Sequence, residues 1–233
     1  MDRLSGVEEL LDGSLDDPRA LAGNLRDLAW VNRWLGGLRL SVAGIQRLAP
    51  DGAPLSILDV GTGGADIPLA LIDRGRASGR HITVTAIDER PEVLAAAAGS
   101  TPRLTATGEL TLHVGDGRAL PYPDDAFDIA HCSLLIHHLD PDEAVAALRE
   151  LRRVARLGVV INDLRRGRLP LLATAASTAF LARSRVTRVD GLASARRAYT
   201  LAELDGLLAR SGLRPRCRSS AWMPRVATAA VRS

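Results

Sequence analysis

Leu55-Ser56-Ile57-Leu58-Asp59-Val60-Gly61-Thr62-Gly63-Gly64-Ala65-Asp66-Ile67-Pro68-Leu69 reads as a buried strand that runs into a glycine turn and then opens a helix. Ser56 to Val60 is a short β-branched and apolar run, and Gly61 to Gly64 permits positive φ values and close approach of bare backbone to a ligand. The helix starts near Asp66, whose carboxylate suits a first turn, and Pro68 falls among early positions whose N–H groups are orphans anyway. Dinucleotide-binding folds share this construction, but a GxGxxG fingerprint beginning at Gly61 needs glycine at position 66. Asp66 stands there instead, facing a helix N-terminus where it would repel a pyrophosphate.

The spacing instead resembles the D-x-G-x-G-x-G motif of class I S-adenosylmethionine-dependent methyltransferases, matched by Asp59, Gly61 and Gly63, with Ala65 in place of the last glycine. Downstream features fall in the order this family displays. His81 to Asp88 is a second apolar strand ending in an acid. The resemblance implies that Asp88, with Glu89 beside it, binds the cofactor ribose. Leu110 to Gly117 is a third strand ending in Asp116-Gly117, which resembles the adenine-binding turn. Phe127 to Cys132 is the fourth strand, entered through Pro121 to Asp125. Each signal has an ordinary alternative use, as a helix cap or a turn dipeptide. Four of them in sequence, separated by helix-length segments, are what a βαβ array requires.

The resemblance implies an α/β fold with a Rossmann-like, doubly wound sheet of seven strands, mostly parallel, the last antiparallel. It also implies S-adenosyl-L-methionine as cofactor, held by Asp59, Gly61, Thr62, Gly63, Asp88, Glu89, Asp116, Gly117 and Cys132. Residues 1–50 are expected to form an N-terminal helical cap segment, with Met1 to Pro18 loose and turn-rich. Leu21, Leu25, Leu28, Trp30, Val31, Trp34, Leu35 and Leu38 lie at helical spacings that break at Gly36-Gly37. In related enzymes such a segment closes over the cofactor; the alternative is a helix that packs on the sheet. Residues 51–233 are expected to form the core domain. Pro141 to Arg156 has a helical apolar face, and Leu157 to Ile161 is strand five. A lid-like insertion, 165–199, starts with an apolar helix, Leu169 to Ala182, and continues through an arginine-rich stretch. Thr200 to Glu203 has the form of a capping box. Leu213 to Ser219 and Arg225 to Val231 form the last two strands.

The 233 residues, 46% hydrophobic and 24% charged, suit one globular α/β domain. The net charge of +3 rests on arginine alone, since the chain has no lysine, and such a modest excess does not indicate a nucleic-acid partner. Cys132 and Cys217 are too far apart in sequence to form a metal cluster by spacing, and a reduced cytoplasmic protein is the simpler account. The N-terminal stretch lacks the apolar core of a secretory signal. The longest low-charge run, Leu169 to Ala182, falls short of the ~20 residues needed to span a bilayer, so no stable membrane insertion is expected.

A sulfonium methyl is already electrophilic, so transfer needs an acceptor held in line and, for an OH or acidic CH acceptor, a group to take its proton. His137 and His138 follow strand four, where the family places residues beside the transferring methyl, and histidine titrates in the useful range. Either could be the base, with the other turned away. Strand four ends in His131-Cys132-Ser133, which is wrong for a hard cation, so no metal is expected. Asn162 and Asp163 find their simpler use in satisfying backbone and arginine groups at the site rim. The chain lacks the N/D-P-P-Y/F sequence of base-flipping amino methylation and the glutamate pair of arginine methylation. What remains is a small acceptor, aromatic or apolar, with an acidic or phenolic group to meet the arginines of the insertion. The expectation is O-methylation of a phenolic or polyketide-like molecule. The alternatives are a quinone-type C-methyltransferase and a non-catalytic cofactor-binding protein, and a homodimer is left open.

Overall fold

The computed structural model describes residues 3–4, 18–34, 36–50, 52–181, 185–218 and 225–233. The chain opens with two helices, α1 (Pro18–Trp34) and α2 (Gly37–Leu48), divided at Gly36, which takes the left-handed φ of 77°. Strands and helices then alternate: β1 (Leu55–Val60), α3 (Asp66–Ser78), β2 (Ile82–Asp88), α4 (Pro91–Ser100), α5 (Pro102–Ala106), β3 (Leu110–Val114) and β4 (Phe127–Ser133). A 3₁₀ turn, Ile136–His138, leads to α6 (Pro141–Val154) and β5 (Ala155–Leu164). The insertion forms α7 (Arg168–Leu181) and α8 (Arg185–Arg197), and α9 (Leu201–Arg210), β6 (Leu213–Arg218) and β7 (Arg225–Arg232) complete the chain. Ala182 and Ser219 lie outside the described residues.

The seven strands lie in the order β3-β2-β1-β4-β5-β7-β6, and β7 runs antiparallel to both neighbours. Strand order therefore reverses between β1 and β4, whose C-terminal ends open the crevice where doubly wound folds bind ligands. β1 shows why both faces must be covered: Ile57 and Leu58 point to opposite sides of the sheet, and neither is exposed. Leu58 and Val60 join α6 and α9 on one face through Leu148, Leu151 and Leu208. Ile57 joins α2 and α3 on the other through Ile45, Leu71 and Ile72.

Strand five is longer than its apolar run indicated. It begins at Ala155, directly after α6, and continues through Asn162 and Asp163 to Leu164. Those polar residues look like loop because their side chains are spent on the crevice rather than on an apolar face. Thr200 caps α9 as its motif requires, with its hydroxyl accepting from the Glu203 N–H at 3.3 Å. Arg3 is docked rather than loose: its guanidinium donates to the carbonyls of Arg197 at 2.7 Å and Leu139 at 2.8 Å, and lies 4.4 Å from the Tyr199 ring centre. Residues 5–17 lie outside the described residues. Among the described residues, no helix is long and apolar enough to cross a membrane.

Candidate active site

The turn after β1 is built by backbone conformations that few residues accept. Gly61 and Gly63 have φ of 69° and 53°, and a side chain on Gly61 would press on Leu135. Ala65 is also left-handed, with φ of 58°, in the position of the missing motif glycine. Its methyl is wholly buried in the apolar cluster with Ile67 and Ile129, so the extra carbon is directed into the core rather than toward a ligand. In front of the turn lies a cavity of about 100 Å³. Gly61 to Gly64 form its floor, Ser133 and Leu134 its β4 side, and Leu25, Leu28 and Asn32 of α1 its roof.

The acids at the ends of β2 and β3 sit along the same edge. Asp88 accepts from the Gly63 N–H at 2.9 Å and the Arg90 N–H at 3.2 Å, which ties the second strand end to the glycine turn. Burial raises its carboxyl above the ordinary value, against those two hydrogen bonds. Asp116 accepts from Arg118 Nε at 2.9 Å, and that guanidinium also meets Glu143 at 2.7 Å and Glu89 at 3.5 Å. Arg118 thereby holds the Asp116 carboxyl below its usual range, while burial and the neighbouring Asp116 raise Glu89. Gly117 is packed so closely that a Cβ there would come 2.7 Å from Val60 Cγ1. The sequence-derived ribose and adenine residues are thus brought to one rim.

Asp59 lines the same cavity but is buried. It accepts from the Thr62 hydroxyl at 2.7 Å and lies 2.5 Å from Nδ1 of His131, its cross-strand neighbour on β4. The other His131 nitrogen lies 2.8 Å from Ser41 Oγ on α2. Asn162 donates to the same hydroxyl at 2.8 Å and to the Gly37 carbonyl at 2.7 Å. A buried hydrogen-bonded chain therefore runs from the glycine turn through β4 to α2 and β5. His131 and Ser41 were not singled out from sequence, because neither belongs to a local motif. Cys132 points the other way, into the cluster with Leu58 and Ile161, and burial pushes its thiol well above the ordinary value.

His137 and His138 occupy different environments. His137 is 2% exposed, with Nδ1 2.5 Å from Asp163 Oδ1, and its backbone N–H donates to Asp163 Oδ2 at 3.1 Å. Burial would raise the Asp163 carboxyl, but the His137 charge and hydrogen bonds from His137 and Leu164 carry it below the ordinary value. A carboxylate on Nδ1 makes Nε2 the basic nitrogen of a neutral imidazole. His138 is half-buried against it, ring centres 4.1 Å apart, and its carbonyl accepts from Arg197 at 2.6 Å. Tyr199 closes the segment by donating to the Leu139 carbonyl at 2.7 Å, with its hydroxyl pushed up to about 12 by burial.

Arg225, the first residue of β7, also joins the site, and nothing in its local sequence marks it. It is 1% exposed and donates to Asn32 Oδ1 at 2.5 Å and Ser133 Oγ at 2.8 Å. Asn32 in turn donates to Asp66 Oδ2 at 3.0 Å. Burial lowers the Arg225 guanidinium to about 10, opposed by the charges of Asp163 and Asp66. Burial likewise raises Asp66, which the Asn32 hydrogen bond partly offsets. This chain of side chains pins α1 over the cavity. Among the described residues no cluster of three or more metal-ligating side chains occurs.

Residues 57–158 match the family model described as a methyltransferase domain. Over 100 residues the chain is 36% identical to the ubiquinone/menaquinone biosynthesis C-methyltransferase UbiE of Rickettsia akari, which covers 43% of this chain and 40% of that protein. The chain thus spans about two fifths of that curated relative's length. A solved S-adenosylmethionine-dependent methyltransferase from Aquifex aeolicus superposes with a TM-score of 0.64 at 20% identity, covering 92% of this chain and 97% of that one. The mitomycin 7-O-methyltransferase MmcR superposes with a TM-score of 0.60 at 24% identity, covering 94% and 59% respectively. A seven-stranded sheet of this order, with a glycine turn after β1 and acids ending β2 and β3, accounts for these likenesses. Residues 57–158 are a methyltransferase domain, and the fold around them is that of the class I S-adenosylmethionine-dependent methyltransferases.

Proposed function

We propose that the chain transfers a methyl group from S-adenosylmethionine to an oxygen of a small phenolic or polyketide-like acceptor. The single observation that carries this reading is the buried His137–Asp163 pair, set just after β4 and three residues beyond the cavity-lining Leu134. When bound, the cofactor supplies an electrophilic sulfonium methyl. Asp88 would accept from the ribose hydroxyls, Asp116 and Gly117 would face the adenine, and the bare backbone of Gly61 to Gly63 would face the chain between them. His137 Nε2 takes the acceptor proton as the new bond forms, and Asp163 stabilises the imidazolium that results. A positioned base is worth about 10²–10⁴-fold in rate.

The cavity in front of the glycine turn is about 100 Å³, well below the roughly 300–1,000 Å³ of small-molecule sites. In the proposed cycle α1 therefore draws back, giving up the Asn32 hydrogen bonds to Arg225 and Asp66 that otherwise hold it, to admit cofactor and acceptor, and returns to exclude water. The insertion supplies the acceptor side, since α8 packs on the 3₁₀ turn that carries His137. The likeness to UbiE supports a second reading, in which the same pair takes a proton from an acidic ring CH and the product is a C-methylated quinone precursor.

The test is transfer of labelled methyl from S-adenosylmethionine to a panel of phenols, polyketide aromatics and dihydroxybenzoquinol precursors, with the methylated atom read by NMR. An O-methyl product whose formation collapses in His137→Ala supports the first reading. A C-methyl product supports the second, and cofactor binding without any product would leave a non-catalytic protein. The proposed setting is the cytoplasm.

A further inference from the structure

The inner face of α1 roofs the cavity, but its outer face has a composition of its own. Arg26, Trp30, Arg33 and Trp34 are all exposed, and their spacing places them on one stripe. Trp30 is 47% and Trp34 62% exposed, and their rings lie against each other, tilted by 37° with centres 5.4 Å apart. The only acid of α1, Asp27, is buried. α7, which packs beside α1, continues the theme with exposed Leu169 and Leu172 next to exposed Arg168, and its sequence holds no acid. Scattered exposed apolar residues are ordinary, but paired tryptophans flanked by cations, with no exposed acid on α1 or α7 among the described residues, are a patterned surface.

We propose that this stripe docks on an anionic lipid surface, with Trp30 and Trp34 in the headgroup layer and Arg26 and Arg33 on lipid phosphates. Tryptophan favours that boundary because its ring is apolar while its N–H remains satisfied by water or headgroups. Arginines on the same stripe add attraction to negative lipid. Charge also argues against the stripe pairing with a second copy of itself, which would set arginine against arginine with no exposed acid of α1 to neutralise them. Docking needs no spanning helix. It would place the roof of the cofactor cavity at the membrane surface, so that a lipid-dissolved acceptor reaches the site without crossing water. The docking itself does not depend on the acceptor reading and is tested without turnover.

The experiment is co-sedimentation of the purified full chain with sucrose-loaded vesicles of phosphatidylcholine alone or mixed equally with phosphatidylglycerol. Pelleting with the mixed vesicles is expected, about tenfold weaker with phosphatidylcholine alone and reduced by salt. Trp30→Ser/Trp34→Ser and, separately, Arg26→Gln/Arg33→Gln should each weaken it about tenfold or more while leaving the circular dichroism melt and cofactor affinity unchanged. Absence of pelleting with the mixed vesicles overturns the proposal, as does pelleting that neither pair of substitutions weakens. A dimer in sedimentation velocity that the tryptophan substitutions dissociate, without vesicle binding, also overturns it and gives the stripe to a second copy.

Discussion

Replacing Gly37 with alanine tests whether the buried arginine is the fixed post around which the cap is built. On helix propensity alone the change stabilises, by up to about 1 kcal/mol. The structure predicts the opposite sign. A Cβ on Gly37 would overlap the terminal nitrogen of Arg225, lie 2.8 Å from its Cζ, and stand 3.0 Å from Asn32 Oδ1. Arg225 cannot swing aside, because it is 1% exposed and both terminal nitrogens are engaged, with Asn32 and with Ser133. Overpacking costs about 1–3 kcal/mol, and losing one charged hydrogen bond costs about 1.5–3 kcal/mol. Subtracting the propensity gain leaves about 2–5 kcal/mol of destabilisation. For a chain of this size that lowers Tm by roughly 4–20 °C. Scanning calorimetry of the two purified proteins reads it directly. An unchanged or raised Tm in Gly37→Ala would refute the reasoning, because it would mean that Arg225 yields freely.

Other perturbations reach the remaining parts of the site. Asp88→Ala removes the carboxylate proposed for two ribose hydroxyls and should weaken S-adenosylmethionine binding by about 10²-fold or more, measured by titration calorimetry; unchanged affinity would displace the ribose from β2. Because burial raises the Asp88 carboxyl, wild-type affinity should begin to fall at a higher pH on acidification than an ordinary carboxylate allows. Asp163 has the opposite sign: its depressed carboxyl contributes stability that is present above the unfolded value of ~3.9 and is lost as pH falls through the folded value. The Tm gap between wild type and Asp163→Asn should therefore be widest near neutrality and close toward acid pH, and a gap independent of pH would contradict a depressed Asp163 carboxyl. Ala65→Gly trades about 1–2 kcal/mol of left-handed strain against about 0.8 kcal/mol of methyl burial and 0.5–1 kcal/mol of chain entropy. Its Tm should stay within about 3 °C of wild type, and a large loss would show that the methyl packs better than its volume implies.

The parts of this molecule that were legible in its sequence are those encoded locally. The β-branched run ending in Gly61 to Gly64, and the acids that end β2 and β3, carry their own spacing, and the structure brings them to one rim. The break at Gly36-Gly37 also showed itself, because a left-handed corner needs glycine. Arg225 did not, since its partners Asn32 and Ser133 lie far away in sequence and an arginine opening a strand looks like a solvated edge residue. His131 read as an ordinary strand residue because Ser41 and Asp59, which give it both hydrogen bonds, come from two other elements. Asn162 and Asp163 were visible as polar residues after an apolar run, but whether such a pair is loop or strand is decided by neighbours, here Ser133 and the antiparallel β7. The docking of Arg3 on Leu139 and Tyr199 has no local signature at all.

The position of β7 sets the order in which a growing chain can complete its site. β6 is made first yet lies outermost, and β7, made after it, is its only strand neighbour among the described residues. Until β7 emerges, β6 has no strand to pair with, β5 presents an open edge, and Asn32 waits for a guanidinium 193 positions further on. The glycine turn and its acids are complete much earlier, but nothing yet holds the roof above them. A chain interrupted before β7 would keep the glycine turn and its acids and lose the Arg225 contacts that hold α1 above them.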